Sequence, residues 1–393
     1  MEKPKIRFLK NKHSWVRSTF EGIAKRRTKS SDNPDLPRIE YQDIISGEGR
    51  LNKDLSKNID CRKGIVFETN DILYGKLRPY LKNWLHPNFS GIALGDFWVL
   101  QARNCDSKFL FSLVQSPKFQ RVANDTSGTK MPRSDWKTVS QTEFSIPTSN
   151  EEQSAIGSLF RTLDDLLSSY KYNLANYQSL KATMLSKMFP KAGQTVPEIR
   201  LDGFEGEWGK YYLGDIFEQV SNYIEPSVEN ELWSLTVEKG LTPKTDRYKR
   251  DFLVKKNDKF KKVDVNEFVY NPMNLTLGAL DLNDNEVTIS VSGYYVVMKN
   301  RDIEKFDNDF LKILLKTTYA IYQYKQFATG TLIEKQRVQF PTFSEIPFYL
   351  PPIVEQQAIG SYFSNLDNLI TALQEKIYQL ETLKKKLLQD MFI

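Results

Sequence analysis

Two long stretches of the chain carry apolar residues at alternating steps of four and three. The first runs Leu163, Leu167, Tyr170, Leu174, Tyr177, Met184 and Met188; the second runs Leu366, Ile370, Leu373, Ile377, Leu380, Leu387 and Met391. That rhythm is the seam of a coiled coil. It predicts two long helices whose shared core includes Leu163, Leu167, Leu174, Leu366, Ile370 and Ile377. Both seams are interrupted at the same place, by Lys181 and by Lys384. A lysine inside a seam either snorkels to solvent or fixes register at a cost in stability, and the sequence leaves both readings open.

The two stretches are also nearly the same text. "EEQSAIGSLFRTLDDLL" begins at Glu151 and "VEQQAIGSYFSNLDNLI" at Val354; Glu152 aligns with Glu355, and the match runs on to Phe189 and Phe392. Upstream, "PKIRF" at Pro4 returns as "PEIRL" at Pro197, Trp15 returns as Trp208, and "GT" at Gly128 returns at Gly330. A repeat of this length means that each half is one structural unit. The order is therefore globular unit, helix, globular unit, helix, with expected bounds of 1–147, 148–192, 193–350 and 351–393. The stretch "PKAGQTVPEIR" between the halves has two prolines and a glycine and reads as a linker.

Within the globular units the pattern changes to short β-type runs, among them "GIVFET", "DILYGKL", "GDFWVLQA", "EFVYNPM" and "VSGYYVVMK". Shorter helical stretches, "SKFLFSLVQSPKFQRVA" and "FDNDFLKILLKTTYAIYQYKQ", lie among them. The fold class this predicts is α+β: two pseudo-repeated globular units of mixed helix and strand separated by two long antiparallel coiled-coil helices. Two homologous halves in one chain imply a pseudo-two-fold axis. From Leu163 to Phe189 the helix would measure roughly 40 Å at about 1.5 Å per residue.

Charge changes this picture in one respect. Residues 1–150 hold 26 lysines and arginines against 16 acids, a net of +10, whereas residues 201–350 hold 19 against 23, a net of −4. A basic first unit points to a polyanionic partner or to a solvated basic surface. Two cysteines, Cys61 and Cys105, supply neither a disulfide framework nor a zinc set. No apolar run reaches the roughly 20 residues needed to span a membrane, and the N-terminus lacks a secretory pattern. The expectation is a soluble cytoplasmic protein.

Catalytic motifs are tempting but incomplete. "NPMN" (Asn271 to Asn274) lacks the second proline and the aromatic of an adenine-methyltransferase turn, and "PDLPRIE" (Pro34 to Glu40) lacks the Glu-x-Lys step of a nuclease. There is no phosphate loop, and His13 and His86 stand far from any metal-ligand pattern. Basic residues do interleave with aromatics and amides in several loops. Lys76 and Arg78 lie in "YGKLRPYLKNW", Lys130 and Arg133 in "SGTKMPRSDW", Lys244, Arg247 and Arg250 in "TPKTDRYKRDFLVKKNDKFKK", and Lys335 and Arg337 in "GTLIEKQRVQF". Arginine binds guanine edges bidentately and lysine mostly secures phosphates, so these nine are the candidate DNA-binding residues. A coiled-coil adaptor that binds only proteins is the competing reading.

The order of these features resembles the DNA-specificity subunit of a Type I restriction-modification system. The resemblance rests on the two "P…EQ-x-AI" helices (Glu152-Gln153…Ala155-Ile156 and Glu355-Gln356…Ala358-Ile359), on "DILYGKLRPYL" from Asp71 and on "GTKMPRSDW" from Gly128. The second unit departs from it, with "NEFVYNPMN" and "GTLIEKQRV" at the corresponding places. The resemblance implies two target recognition domains, each reading half of a split double-stranded DNA site, in a chain that is not itself an enzyme. It implies two modification subunits and two restriction subunits as partners and no cofactor on this chain. S-adenosylmethionine, ATP and magnesium are expected on those partners.

Overall fold

The computed structural model describes residues 4–8, 14–53, 61–125, 131–225, 227, 230–244, 260–330 and 336–392. The candidate residues Lys130, Arg247, Arg250 and Lys335 lie outside them, as does His13. The chain divides into two compact units, residues 1–174 with 372–393, and residues 175–371. Each contains a globular part and one segment from each of two long helices, Asn150–Lys187 and Ile353–Met391.

In the first unit, strand Trp15–Thr19 pairs antiparallel with Glu143–Pro147, the strand that leads into the first long helix. One four-stranded sheet has the order Ala24–Arg26, Phe97–Ala102, Ile72–Gly75, Trp84–Leu85. A second has the order Ser30–Ser31, Gly64–Phe67, Gly91–Ala93, Arg38–Ile39. The continuous apolar runs of the sequence follow from burial on both faces. Ile72, Tyr74, Trp98 and Leu100 enter the core shared with the helices, while Leu73, Phe97 and Val99 enter a second core with Ile39, Phe67 and Ala93. Alternate side chains of a strand point to opposite faces, so a sheet between two cores needs apolar residues at every step.

The second unit uses the same plan. Gly209–Tyr212 pairs with Pro347–Leu350 ahead of the second long helix. A four-stranded sheet has the order Phe217–Val220, Val296–Asn300, Phe268–Tyr270, Leu280–Leu282. Phe268, Tyr270, Val296 and Met298 face one core, and Val269 and Val297 face the other. The sequence run "VSGYYVVMK" is not one strand but two, Ile289–Ser292 and Val296–Asn300, joined by a turn at residues 293–295.

Each shorter helical stretch is likewise two helices. Ser107–Gln115 ends where Ser116 caps Pro117–Ala123 by accepting the Phe119 N–H, and Asn308–Leu314 ends before Thr317 caps Thr318–Phe327 by accepting the Ala320 N–H. A hydroxyl cap starts a new helix rather than continuing an old one, and in the first unit Pro117 takes the first helical position.

The repeated text around Glu152 and Glu355 is a docking device, buried rather than displayed. Glu152 is fully buried and accepts Arg7 Nε and Nη2 at 2.6 and 2.7 Å; Glu355 accepts Arg200 Nε and Nη2 at 2.9 and 2.6 Å. Gln153 accepts the Asp106 N–H at 2.8 Å and donates to the Pro147 carbonyl at 2.8 Å; Gln356 does the same with Asp307 and Pro351 at 2.9 and 2.8 Å. Asp106 and Asp307 are themselves the N-caps of the helices at Ser107 and Asn308. Phe392 lies against Phe109 and Phe160, and Phe189 against Phe310 and Phe363. The stretch read as a linker is docked by the same device. The Ile199 N–H bonds the Lys187 carbonyl, as the Ile6 N–H bonds that of Asp390, and Val196, Ile199 and Leu201 pack on the second unit's core.

Within each unit the two long helices run antiparallel. In the first, Asp164 meets Lys384 at 2.6 Å and Lys171 meets Glu381 at 2.7 Å; Leu163, Leu167, Ile377 and Leu380 are buried there, with Leu174 half-buried beside them. In the second, Lys181 pairs with Asp367 and Leu366 is buried, with Ile370 half-buried. Lys384 also donates to Gln115, and its side chain is 12% exposed. Both seam lysines therefore end on the matched aspartate of the other helix.

Candidate nucleic-acid interface

In the first unit the strand Ile72–Gly75 runs out into residues 76–82, and this loop is stitched to residues 132–134. The Arg78 N–H bonds the Pro132 carbonyl at 2.7 Å, and the Ser134 N–H bonds the Lys76 carbonyl at 2.8 Å. Arg78 and Lys82 take left-handed backbone angles, φ 48° and 54°, on either side of the short helical turn Pro79–Leu81. Two such residues in one loop hold the chain in a shape it adopts only when its neighbours insist. The structure thus brings together Lys76, Arg78 and Arg133, which are 57 residues apart at the extremes in "DILYGKLRPYL" and "GTKMPRSDW".

The cations are ordered by a carboxylate that the sequence reading passed over. Arg133 Nη2 donates to Asp96 Oδ2 at 2.9 Å, and Lys76 Nζ lies 3.5 Å from Asp96 Oδ1. Partial burial pushes the Asp96 carboxyl up, but the Arg133 hydrogen bond and charge and the charge of Lys76 outweigh it and hold the group below its ordinary value. The Asp96 main chain is fixed as well. Its carbonyl accepts the Lys76 N–H at 2.9 Å and the Tyr41 hydroxyl at 2.5 Å, and the Tyr41 oxygen accepts the Leu77 N–H. Burial pushes the Tyr41 hydroxyl up to about 12, so it stays a donor. Arg133 keeps 57% of its side-chain surface, and Tyr80, Leu81 and Met131 are exposed around it. Exposed cations among exposed apolar groups suit a partner that offers both phosphates and base edges. In the sequence Asp96 stands in the "GD" ahead of "FWVL", and the strand begins after it, at Phe97.

The second unit stitches the corresponding loops with different residues. The Val338 N–H bonds the Pro272 carbonyl at 3.0 Å, and Thr329 and Arg337 exchange two backbone bonds. "NPMN" is a turn: Asn271 Oδ1 accepts the Met273 N–H, and the Asn271 carbonyl accepts the Asn274 N–H. Met273, Leu277 and Tyr294 are exposed, Tyr294 to 88%. Arg337 is exposed. Lys244 follows the strand Gly240–Pro243, and among the described residues no bond joins it to the Arg337 loop.

The "PDLPRIE" residues are structural. Arg38 is 2% exposed and spends its guanidinium on the carbonyls of Asp32, Leu36 and Arg62, and Glu40 pairs with Arg62. Among the described residues no three His, Cys, Asp or Glu side chains are grouped so as to hold a metal ion, and no helix is long and apolar enough to cross a membrane.

Comparison with known proteins agrees with this architecture. Residues 205–382 match the model of the Type I restriction modification DNA specificity domain. The specificity subunit of the Type I restriction enzyme MjaVIII of Methanocaldococcus jannaschii is 23% identical over 352 residues, 83% of this chain and 79% of that protein. The EcoDI specificity subunit of Escherichia coli is 25% identical over 189 residues, 46% of this chain and 42% of that one. Among solved structures, the S subunit of a Type I restriction-modification system from M. genitalium superposes with a TM-score of 0.62 at 14% identity, over 100% of this chain and 99% of that one. A chain from a structure of type I R-M complex assembly gives 0.52 at 18% identity, over 96% and 98%. The likeness to both structures is one of fold, and residues 205–382 belong to the family of Type I restriction modification DNA specificity domains.

Proposed function

We propose that each unit of this specificity subunit reads one half of a bipartite double-stranded DNA site, the first through Lys76, Arg78 and Arg133 and the second through the loops that carry Arg337 and Tyr294. The chain recognises and does not catalyse. The observation that carries the reading is the stitching of residues 76–78 to 132–134, which gathers solvent-facing cations on an ordered loop pair. The positive charge of Lys130, Lys244, Arg247, Arg250 and Lys335, candidates from the sequence, belongs to the same reading.

The partners are the modification and restriction subunits of the same system, two of each. S-adenosylmethionine, ATP and magnesium act on those subunits, and adenine is the methylated base. The assembly works in the cytoplasm, where the DNA is. Co-expression with the modification subunit and genome-wide mapping of methylated adenines tests the proposal. It expects one bipartite motif; methylation without a motif, or binding that does not weaken with salt, counts against it.

A further inference from the structure

A lysine and an arginine in solvent each sample many rotamers, and a base edge rewards only one geometry. Asp96 removes that freedom in the first unit. Its two carboxylate oxygens are divided between two cations on different loops, Oδ1 toward Lys76 and Oδ2 toward Arg133. Its own backbone is held by Lys76 and Tyr41, so the anchor does not shift when the cations do. Arg133 spends one Nη2 hydrogen on Asp96 and keeps the other donors of its planar fork. The carboxylate also has a cost that a mere binding surface would avoid: it cancels one of the two positive charges and weakens attraction to any phosphate.

The second unit shows that the scaffold does not require this carboxylate. Trp98 pairs with Tyr74, and Val296 takes the same place beside Tyr270. Counting back along each strand, Asp96 matches Tyr294, which is 88% exposed and makes no clamp. The matched loop pair is nonetheless stitched through Pro272 and Val338.

We propose that Asp96 is a specificity-determining positioning residue, which orients Arg133 toward a base edge and does not itself touch the DNA. This rests on the DNA-reading function proposed above. It gives up general affinity for discrimination between sequences.

The test uses the full chain assembled with its modification subunit, as wild type, Asp96→Asn and Asp96→Glu, each also in an Arg133→Ala background. Two readouts are needed. The first requires no DNA: trypsin cleavage after Arg133 should quicken several-fold in Asp96→Asn, where the side chain is released, and recover in Asp96→Glu. The second is the ratio of affinities for the methylated motif and for a scrambled duplex, over a series of salt concentrations. Asp96→Asn should lower that ratio by about tenfold, the scale of one base contact, while binding to the scrambled duplex stays equal or tightens. In the Arg133→Ala background the same change should have little further effect on the ratio. An unchanged ratio in Asp96→Asn overturns the proposal, and so does an equal loss with and without Arg133, which would place Asp96 itself on the DNA. If the wild-type complex prefers no sequence, the function proposed above fails instead, and the trypsin result still decides whether Asp96 orders Arg133.

Discussion

At the scale of single residues, the most consequential groups in this chain are buried charges that hold helices to sheets. Glu152 is fully buried, and its two oxygens are filled by Arg7, with Trp15 Nε1 at 3.2 Å. Replacing Arg7 by Ala leaves an uncompensated carboxylate, so a loss of about 3–5 kcal/mol is expected; urea unfolding of the variant measures it, and a loss under about 1 kcal/mol would mean that water reaches Glu152. His86 sets an acid limit on the first unit. Burial lowers its pKa from 6.5 to about 4, and its ring stacks on Phe111. The unfolded chain therefore binds a proton at a higher pH than the folded chain, so stability falls as pH drops from 6.5 toward 4. His86→Gln should lose less melting temperature than the wild type between about pH 7.5 and about pH 5. An identical decline in both proteins would show that other groups carry it. Arg133→Ala should weaken binding to the cognate motif by about 1–3 kcal/mol if it reads a base, and all sequences alike if it holds phosphate. The cationic loops were legible in the sequence because lysine and arginine cluster with aromatics there. Asp96 was not, because a lone acid carries no pattern until the sheet register places it between Lys76 and Arg133.

At the scale of elements, the heptad rhythm predicted both long helices, and the structure gives the reason for the lysines that interrupt it. Lys384 reaches Asp164, and Lys181 reaches Asp367, so each polar step in one helix has one polar partner in the other. A slip of the pair by one heptad would leave four charges without partners, which is how a seam lysine specifies register. Periodicity could not reveal that the flanking "EQ-x-AIG" is a docking site, since Glu and Gln on a helix ordinarily read as solvent-facing. The glycine was the available clue. A Cβ at Gly157 would meet the Phe109 nitrogen and Lys108 at 2.6 Å, whereas one at Gly360 would meet Asp307 and Phe310 at 3.0 and 3.1 Å. Alanine is the better helix former by about 1 kcal/mol, but overpacking against backbone costs about 1–3 kcal/mol. Gly157→Ala should therefore destabilise the protein, and Gly360→Ala should be nearer neutral. Paired melting curves decide this; equal behaviour of the two variants would show that the first helix shifts to accept the methyl.

At the scale of the whole molecule, a chain that repeats its docking residues and varies its loops is built for exchange. The two units have separate cores, one around Trp98, Phe109 and Phe160 and one around Phe268, Phe310 and Phe363. What fastens each globular part is a small set of contacts to the long helices: Arg7 and Asp106 on Glu152 and Gln153 in one unit, and Arg200 and Asp307 on Glu355 and Gln356 in the other. Residues 5–145 of a relative with a different target should therefore replace those of this chain, provided the relative supplies an arginine at position 7 and a helix-capping aspartate at position 106. An insert lacking either would leave Glu152 charged and buried or Gln153 without its donor, and the chimera would fail for stability before recognition is tested. With both present, the half-site read by the exchanged unit should change and the other half-site should stay. The number of base pairs between the halves should also stay, because both long helices keep their lengths and their Lys384–Asp164 and Lys181–Asp367 register. Methylome sequencing of a strain that carries the chimera and its modification subunit reads all three quantities at once. A motif altered in both halves, or in spacing, would show that the globular parts do not recognise DNA independently and that the docking contacts transmit more than position.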